Sequence, residues 1–485
     1  MSRIACIQRL REHDPRQVLF AEAGRQLDAH ELYARAANLA AQLRARGIGS
    51  GSNVALYLPR GLDAVVAVYG ILLAGACYVP LNNCCPGDRN RFIIRDAGCR
   101  CIIVNDTVPS WIANAGLDTL NVTTVPDLPP VADAVPVHNT EERAAILYTS
   151  GSTGQPKGVV ISQRAIAAFS SWGVSTFGLN RNDRIASLAP FNFDLSLFDL
   201  FAATAAGAAT YFIPEELKLA PARLVDWLRQ HAISTWYTVP SMLGLVTLKG
   251  GLDKQGLPRL RQVLFAGEVF PTPRLQQLCT LLPDTGFYNL FGPTETNVCL
   301  YWPVDRQRLV GILPIPIGGP ACQTALAIDP EQGELLVKGP CLMSGYWQAG
   351  MTVPALDAQG WFHTGDRVTV NAAGEFEYHG RLDRMIKCAG YRIEPAEIEQ
   401  VLRAAPGVLQ AAVVGVPDPL SGTRIAAAVA VEGANRSSLQ AHASRQLAAW
   451  MRPSFYLLMK DLPFLPNGKT DYQGITRAIE REMPR

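Results

Sequence analysis

Between Leu27 and Arg46 apolar residues return every three to four positions, and the run ends at Gly47. That period gathers the apolar side chains on one stripe, and a glycine just past the last turn caps a helix, so the pattern predicts an amphipathic helix. Short unbroken apolar runs, Val54 to Pro59 and Cys101 to Val104, predict buried strands. Their alternation with helical segments predicts parallel strands joined by crossover helices. Ala64 to Pro80 carries no charge over 17 residues, the short edge of a membrane span. Gly70, Gly75 and Pro80 break it, so it reads as a buried helix running into a buried strand. Trp236 to Pro240 and Val263 to Glu268 predict strands ending in turns, where ligands collect in parallel sheets. The proline-rich stretch Asp127 to Val137 predicts a surface connection, too short to separate independent domains.

Composition narrows the class. A chain of 485 residues, 48% hydrophobic and 18% charged, can bury a large core. A net charge of +2 speaks against nucleic acid or an anionic membrane as the main partner. Charges at Arg3, Arg9, Arg11, Glu12 and Asp14 break up what a signal peptide needs as an apolar core, which predicts a cytoplasmic protein. The 11 cysteines are scattered, with Cys84 and Cys85 adjacent and Cys99-x-Cys101 too close for a usual zinc pair. They read as reduced, mostly buried thiols. The seven histidines show no ligand spacing, so a transition-metal site has no support.

The candidate chemistry starts at Tyr148 to Gly158, Y-T-S-G-S-T-G-Q-P-K-G. Glycines let backbone N–H groups turn toward an anion; hydroxyls and a lysine add donors and charge. Lys157 follows Pro156 and precedes Gly158, so this is not the Gly-Lys-Ser/Thr loop of common nucleotidases. Taken alone, a Ser/Thr/Gly run also fits a plain surface loop. Further along, Asp194 and Asp199 interrupt the apolar Leu188 to Phe201, and a buried carboxylate needs a partner. Then come Y-N-L-F-G-P-T-E-T (Tyr288 to Thr296), W-F-H-T-G-D (Trp361 to Asp366), G-R-L-D-R-M-I-K (Gly380 to Lys387), G-Y-R-I-E (Gly390 to Glu394) and L-P-N-G-K-T-D (Leu465 to Asp471).

In this order and at these separations the segments resemble the adenylate-forming superfamily over nearly the whole chain. That superfamily includes nonribosomal peptide synthetase adenylation domains, acyl-CoA synthetases and luciferase-like enzymes. The resemblance implies an α/β fold with a large multi-subdomain N-terminal core of parallel-rich sheets over 1–382. A small mobile α+β C-terminal domain would cover 383–485. It implies ATP and Mg²⁺, with a carboxylate attacking the α-phosphate, pyrophosphate leaving and the acyl group passing to a thiol. Thr149, Ser150, Gly151, Ser152, Thr153, Gly154 and Lys157 would hold phosphate, Glu295 the Mg²⁺, and Thr294 and Lys469 the reacting phosphate. Phe291 would stack on adenine beside Asn289, Asp366 would take the ribose hydroxyls, and Arg381 would contact the nucleotide. Asp383 would be the hinge and Gly390 would line the thiol's approach.

Amino-acid-activating members carry an aspartate at the position of Asp194, after Phe193, to pair with the substrate's α-ammonium. The pocket positions carried over are Asp194, Leu195, Phe198, Thr238, Leu264, Ala266, Leu290, Val298 and Cys299. None after Asp194 is charged, so the substrate side chain should be apolar. Phe198 and Leu290 look bulky enough to favour a small or cyclic residue. The set is similar to that of free-standing proline-activating enzymes, differing chiefly at Phe198 and Thr238. L-Proline leads, with alanine or another small aliphatic amino acid open. No condensation signature and no carrier-type G-G-x-S segment after Lys469 is found, so the acceptor is expected to be the phosphopantetheine of a separate carrier protein. The alternatives are a CoA ligase for a small acid and a nucleotide-binding homologue without chemistry.

Overall fold

The computed structural model describes residues 10–113, 116–125, 142–151, 155–254, 256–418, 422–464 and 470–483. Ser152, Thr153, Gly154 and Lys469, with the Asp127 to Val137 connection, lie outside the described residues. The helix expected from Leu27 runs Ala29–Ala45, started by Asp28, whose side chain accepts from the Glu31 N–H. The uncharged stretch forms helix Leu62–Leu73 and strand Cys77–Pro80. Among the described residues no helix is long and apolar enough to cross a membrane.

Two large mixed sheets form the core. One runs, by strand order, Gly319–Pro320, Leu300–Pro303, Gly286–Phe291, Gln262–Phe265, Thr235–Thr238, Arg184–Ser187, Ala209–Phe212, Val18–Glu22, Arg25–Asp28. Its middle, from Gly286–Phe291 to Val18–Glu22, is parallel throughout. The other contains Cys77–Pro80, Asn53–Leu56 and Cys101–Val104 in parallel and carries strand Arg143–Thr149, which hairpins antiparallel to Lys157–Ser162. Helices Leu62–Leu73 and Gln163–Phe177 share one buried cluster with residues of both sheets. A layer covered on two sides needs apolar residues all round it, which is why the helix reads as uniformly apolar after Asp63, from Ala64 on.

A four-stranded antiparallel sheet, Ala325–Ile328, Glu334–Lys338, Phe362–Val370 and Phe376–Arg381, leads to the last unit. There, hairpin Ile386–Cys388 and Tyr391–Ile393 precedes helix Pro395–Arg403 and the sheet Val408–Asp418, Gly422–Val431, Phe455–Met459. This unit has apolar clusters of its own, built on residues such as Ile398, Leu402, Val413, Val429 and Ile475. All ten described cysteines are free, and seven are buried.

Candidate active site

Strands Arg143–Thr149, Thr235–Thr238, Gln262–Phe265 and Gly286–Phe291 end around one region, and the hairpin turn Cys388 to Tyr391 reaches into it. Past Phe291 the chain doubles back tightly. A side chain at Gly292 would bring its Cβ within 1.7 Å of the Asn297 carbonyl oxygen, so only glycine fits. The turn delivers Glu295, wholly buried, between Lys157 Nζ at 3.1 Å and Arg392 Nη1 at 2.9 Å. The Tyr346 hydroxyl donates to the same carboxylate at 2.8 Å and accepts from Lys157 at 3.1 Å. Burial works to raise the Glu295 pKa, but Arg392 and Lys157 outweigh it and hold the carboxyl at about 2. Burial lowers the Lys157 pKa, with Glu295 opposing.

Asn289, Phe291, Gly292, Tyr378 and Lys387 line a neighbouring cavity. The Phe291 and Tyr378 rings sit 5.5 Å apart, and Lys387 Nζ lies 4.7 Å and 5.3 Å from their centres. Asn289 donates to the Pro316 carbonyl at 2.8 Å, which fixes its amide at the cavity wall. Asp366, buried completely, lies 3.1 Å from Arg381 Nη1 and 3.9 Å from Lys387 Nζ. Neither of its oxygens has an aligned hydrogen-bond donor among the described residues. A buried carboxylate with free lone pairs suits a pair of hydroxyl donors. Arg381 also donates to the Thr364 carbonyl and forks onto Asp383 at 2.9 and 2.6 Å.

Asp194 lines the next cavity with Leu195, Tyr237, Ala266, Thr294 and Val298, and Gly390 and Arg392 close it from the hairpin side. Asp194 is half-buried; burial raises its pKa, and a hydrogen bond with Thr294 works against that. A cavity on its other side holds Thr149 and Ser150 and shares Phe193, Thr294 and Arg392 with it, so the aspartate adjoins the phosphate loop. The Ser150 hydroxyl donates to the Arg392 carbonyl, and the Glu394 N–H returns a bond to it at 3.3 Å. The Thr149 hydroxyl is buried without a hydrogen-bond partner among the described residues. At Gly151 a Cβ would lie 2.1 Å from the Gln155 carbonyl oxygen.

The remaining expected pocket residues divide. Phe198, Leu264 and Cys299 are fully buried in the cluster behind the cavity, and Leu290 lines the cavity beside Phe291 and Lys387. Thr238 lines an adjoining cavity that shares Phe193, Leu195 and Tyr237 with the Asp194 cavity, so its strand neighbour Tyr237 lines both. Tyr237 packs edge-on to Phe198 with centroids 5.4 Å apart.

Gly390 has φ +77°, and a Cβ there would meet Val239 Cγ1 at 2.5 Å. Its N–H donates to Glu268 at 2.9 Å, and the same carboxylate accepts the Ser241 N–H at 2.8 Å. Tyr237, Glu268, Tyr346, Lys387 and Arg392 were not among the expected site residues. Glu268, Lys387 and Arg392 stand inside stretches the sequence marked, whereas nothing local marks Tyr346, which strand Gly345–Gln348 brings in beside Lys157–Ser162.

The fold is that of adenylating and CoA-ligating enzymes. An amide bond synthetase from Marinactinospora thermotolerans superposes with TM-score 0.86 at 23% identity, covering 97% of this chain and 99% of that one. A Vibrio cholerae adenylation domain in complex with glycyl-adenosine-5'-phosphate superposes with TM-score 0.83 at 24% identity, covering 98% and 97%. The chain belongs to the AMP-binding enzyme family, whose main domain matches residues 7–347 and whose C-terminal domain matches 397–469. It is 38% identical to an L-proline--[L-prolyl-carrier protein] ligase from Streptomyces coelicolor, covering 92% of this chain and 91% of the relative. A ligase of the same name from Pseudomonas fluorescens is 34% identical, covering 96% and 97%.

Proposed function

We propose that this enzyme activates L-proline, or a similarly small apolar amino acid, as its adenylate and transfers it to the phosphopantetheine thiol of a separate carrier protein. The observation that carries the reading is Asp194: a half-buried carboxylate in a small cavity that adjoins the phosphate loop. The two carrier-protein ligases named above support the choice of amino acid and acceptor.

In the first step the amino acid carboxylate attacks the α-phosphorus of ATP, a P–O bond forms, and pyrophosphate leaves with the electron pair of the bond that breaks. Asp194 binds the α-ammonium; truncating one partner of such a desolvated pair costs about 2–5 kcal/mol, which would exclude a plain carboxylic acid. Thr149, Ser150 and Thr294 line the space assigned to the phosphates, with Lys157 on Glu295 nearby, and Phe291 and Asn289 line that assigned to adenosine, with Asp366 3.9 Å from its Lys387. Ser152, Thr153, Gly154 and Lys469 are assigned to the phosphates on sequence grounds. Arg381 braces Asp366 from the side of Asp383.

Among the described residues no cluster of three or more His, Cys, Asp or Glu could hold a metal alone. Mg²⁺ is usually held by one or two carboxylates together with substrate phosphates, and the ionised Glu295 fits that donor set. Bound there, Mg²⁺ would neutralise phosphate oxygen charge. In the second step the carrier thiol loses its proton and its sulfur attacks the acyl carbon. A C–S bond forms, the C–O bond to AMP breaks, and AMP leaves. The domain 383–485 would turn about Asp383 between the steps; Gly390 packed against Val239 and Phe193 suits the second. Incubation with ATP and labelled proline tests the reading: prolyl-AMP should form, and labelled thioester should follow on adding a phosphopantetheinylated carrier protein. Adenylate formed only with acids that lack an amine, or with large or charged amino acids, would refute it.

A further inference from the structure

The cavity that Thr238 faces holds about 170 Å³ and shares Phe193, Leu195 and Tyr237 with the Asp194 cavity. It is walled on one side by Val239 and Met242 of helix Pro240–Lys249 with its preceding residue, and on the other by Ala389 and Tyr391 of the hairpin. Its lining is apolar or neutral except for Lys218, the sole charged residue among the described residues that line it. Lys218 is part-exposed, and the next residue, Leu219, is 90% exposed, so the cation stands at the end facing solvent.

The surroundings hold that cation in place. Glu215 takes Lys218 Nζ at 2.6 Å on one oxygen and Arg60 Nη2 at 3.0 Å on the other. Arg60 is itself tied to the Ser187 and Ile213 carbonyls. Asp199 and Glu22 also lie beside Arg60, so the cation left to face the cavity mouth is Lys218.

We infer that Lys218 receives the phosphate of the pantetheine arm as its thiol reaches the adenylate. The inference rests on the function proposed above. A pantetheine arm is a chain of amides and methylenes that an apolar channel accepts, whereas its phosphate would be unpaired there and must stop at the mouth. Among the described residues that line the cavity, Lys218 alone offers it a positive charge. Lys218 is thus a positioning residue: it touches no reacting atom and fixes the depth to which the thiol enters.

The test uses free pantetheine and 4'-phosphopantetheine as acceptors, with prolyl thioester read by mass spectrometry and pyrophosphate exchange measured alongside. The wild type should show a KM about tenfold lower for phosphopantetheine at similar kcat, a preference that salt erodes. Lys218→Ala should erase the preference, Lys218→Arg should keep it, and Glu215→Gln, which removes the competing carboxylate, should widen it. Equal KM values for the two thiols in the wild type, or a preference that survives Lys218→Ala, overturns the inference while normal exchange leaves the proposed function standing. No exchange with any amino acid overturns both.

Discussion

Arg392 Nη1 lies 2.9 and 3.0 Å from the two carboxylate oxygens of Glu295. A cation of the C-terminal hairpin thus occupies the carboxylate assigned to Mg²⁺, while Lys387 fills the space between Phe291 and Asp366. Nucleotide with its metal and this hairpin position compete for the same acids.

Removing the competitor should show in the metal requirement. Arg392→Ala should lower the Mg²⁺ concentration for half-maximal pyrophosphate exchange by about three- to tenfold, because the ligand no longer draws on a minor population. Glu295→Gln should cut exchange by about a hundredfold or more, as loss of a charge-stabilising group does. A Mg²⁺ titration of both variants decides it.

Substitution at Gly390 should separate the two half-reactions. A Cβ there meets Val239 at 2.5 Å, and φ +77° disfavours any L side chain. Gly390→Val should lower the ratio of thioester formation to exchange by at least about tenfold, measured with a phosphopantetheinylated carrier protein.

Phe198 and Tyr237 should set the size of the amino acid. Phe198 is fully buried against Phe169, Phe177 and Tyr237, so truncation to alanine would leave a large void. Phe198→Leu is the milder change: it should cost about 1–3 kcal/mol of stability and move exchange toward side chains one or two carbons longer than proline. Tyr237→Leu should move the preference in the same direction. Exchange ratios across a series of aliphatic amino acids, with thermal melts, measure both.

Asp199 carries a pH signature. It is 1% exposed, and burial pushes its carboxyl up to about 7 against the pull of Ser187 and Arg60. A carboxyl whose folded pKa exceeds its unfolded value near 4 destabilises the fold once pH rises above that unfolded value, increasingly up to pH 7 and then to a constant degree. Asp199→Asn should therefore match the wild type in Tm near pH 4 and exceed it at pH 8, by up to about 4 kcal/mol of stability. An unchanged Tm difference between the two pH values would show that Asp199 ionises normally.

The sequence carried the fold through period and punctuation. Uniform burial of the helix from Ala64 on and the closing glycines were legible because each states a local requirement. The π-helical turn Phe198–Ala202 was not, since its apolar residues suit any buried helix. The order of chemical segments marked Asp194, Glu295 and Asp366, because a carboxylate beside apolar or turn residues stands out. Tyr237 stands inside the marked stretch Trp236 to Pro240, but nothing local singles it out from its neighbours. Tyr346 and the Arg392–Glu295 pair arise from chain crossings of 51 and 97 residues, which no local pattern records.

The central claim is that Asp194 selects a carboxylic acid bearing a neighbouring ammonium. Exchange of labelled pyrophosphate into ATP, run across amino acids and matched acids lacking the amine, tests it in wild type and Asp194→Ala. Strong exchange with L-proline or another small amino acid, none with the deaminated acids, and loss of at least about a hundredfold in the variant are expected. Equal exchange by acids without an amine, or undiminished exchange in Asp194→Ala, would contradict it.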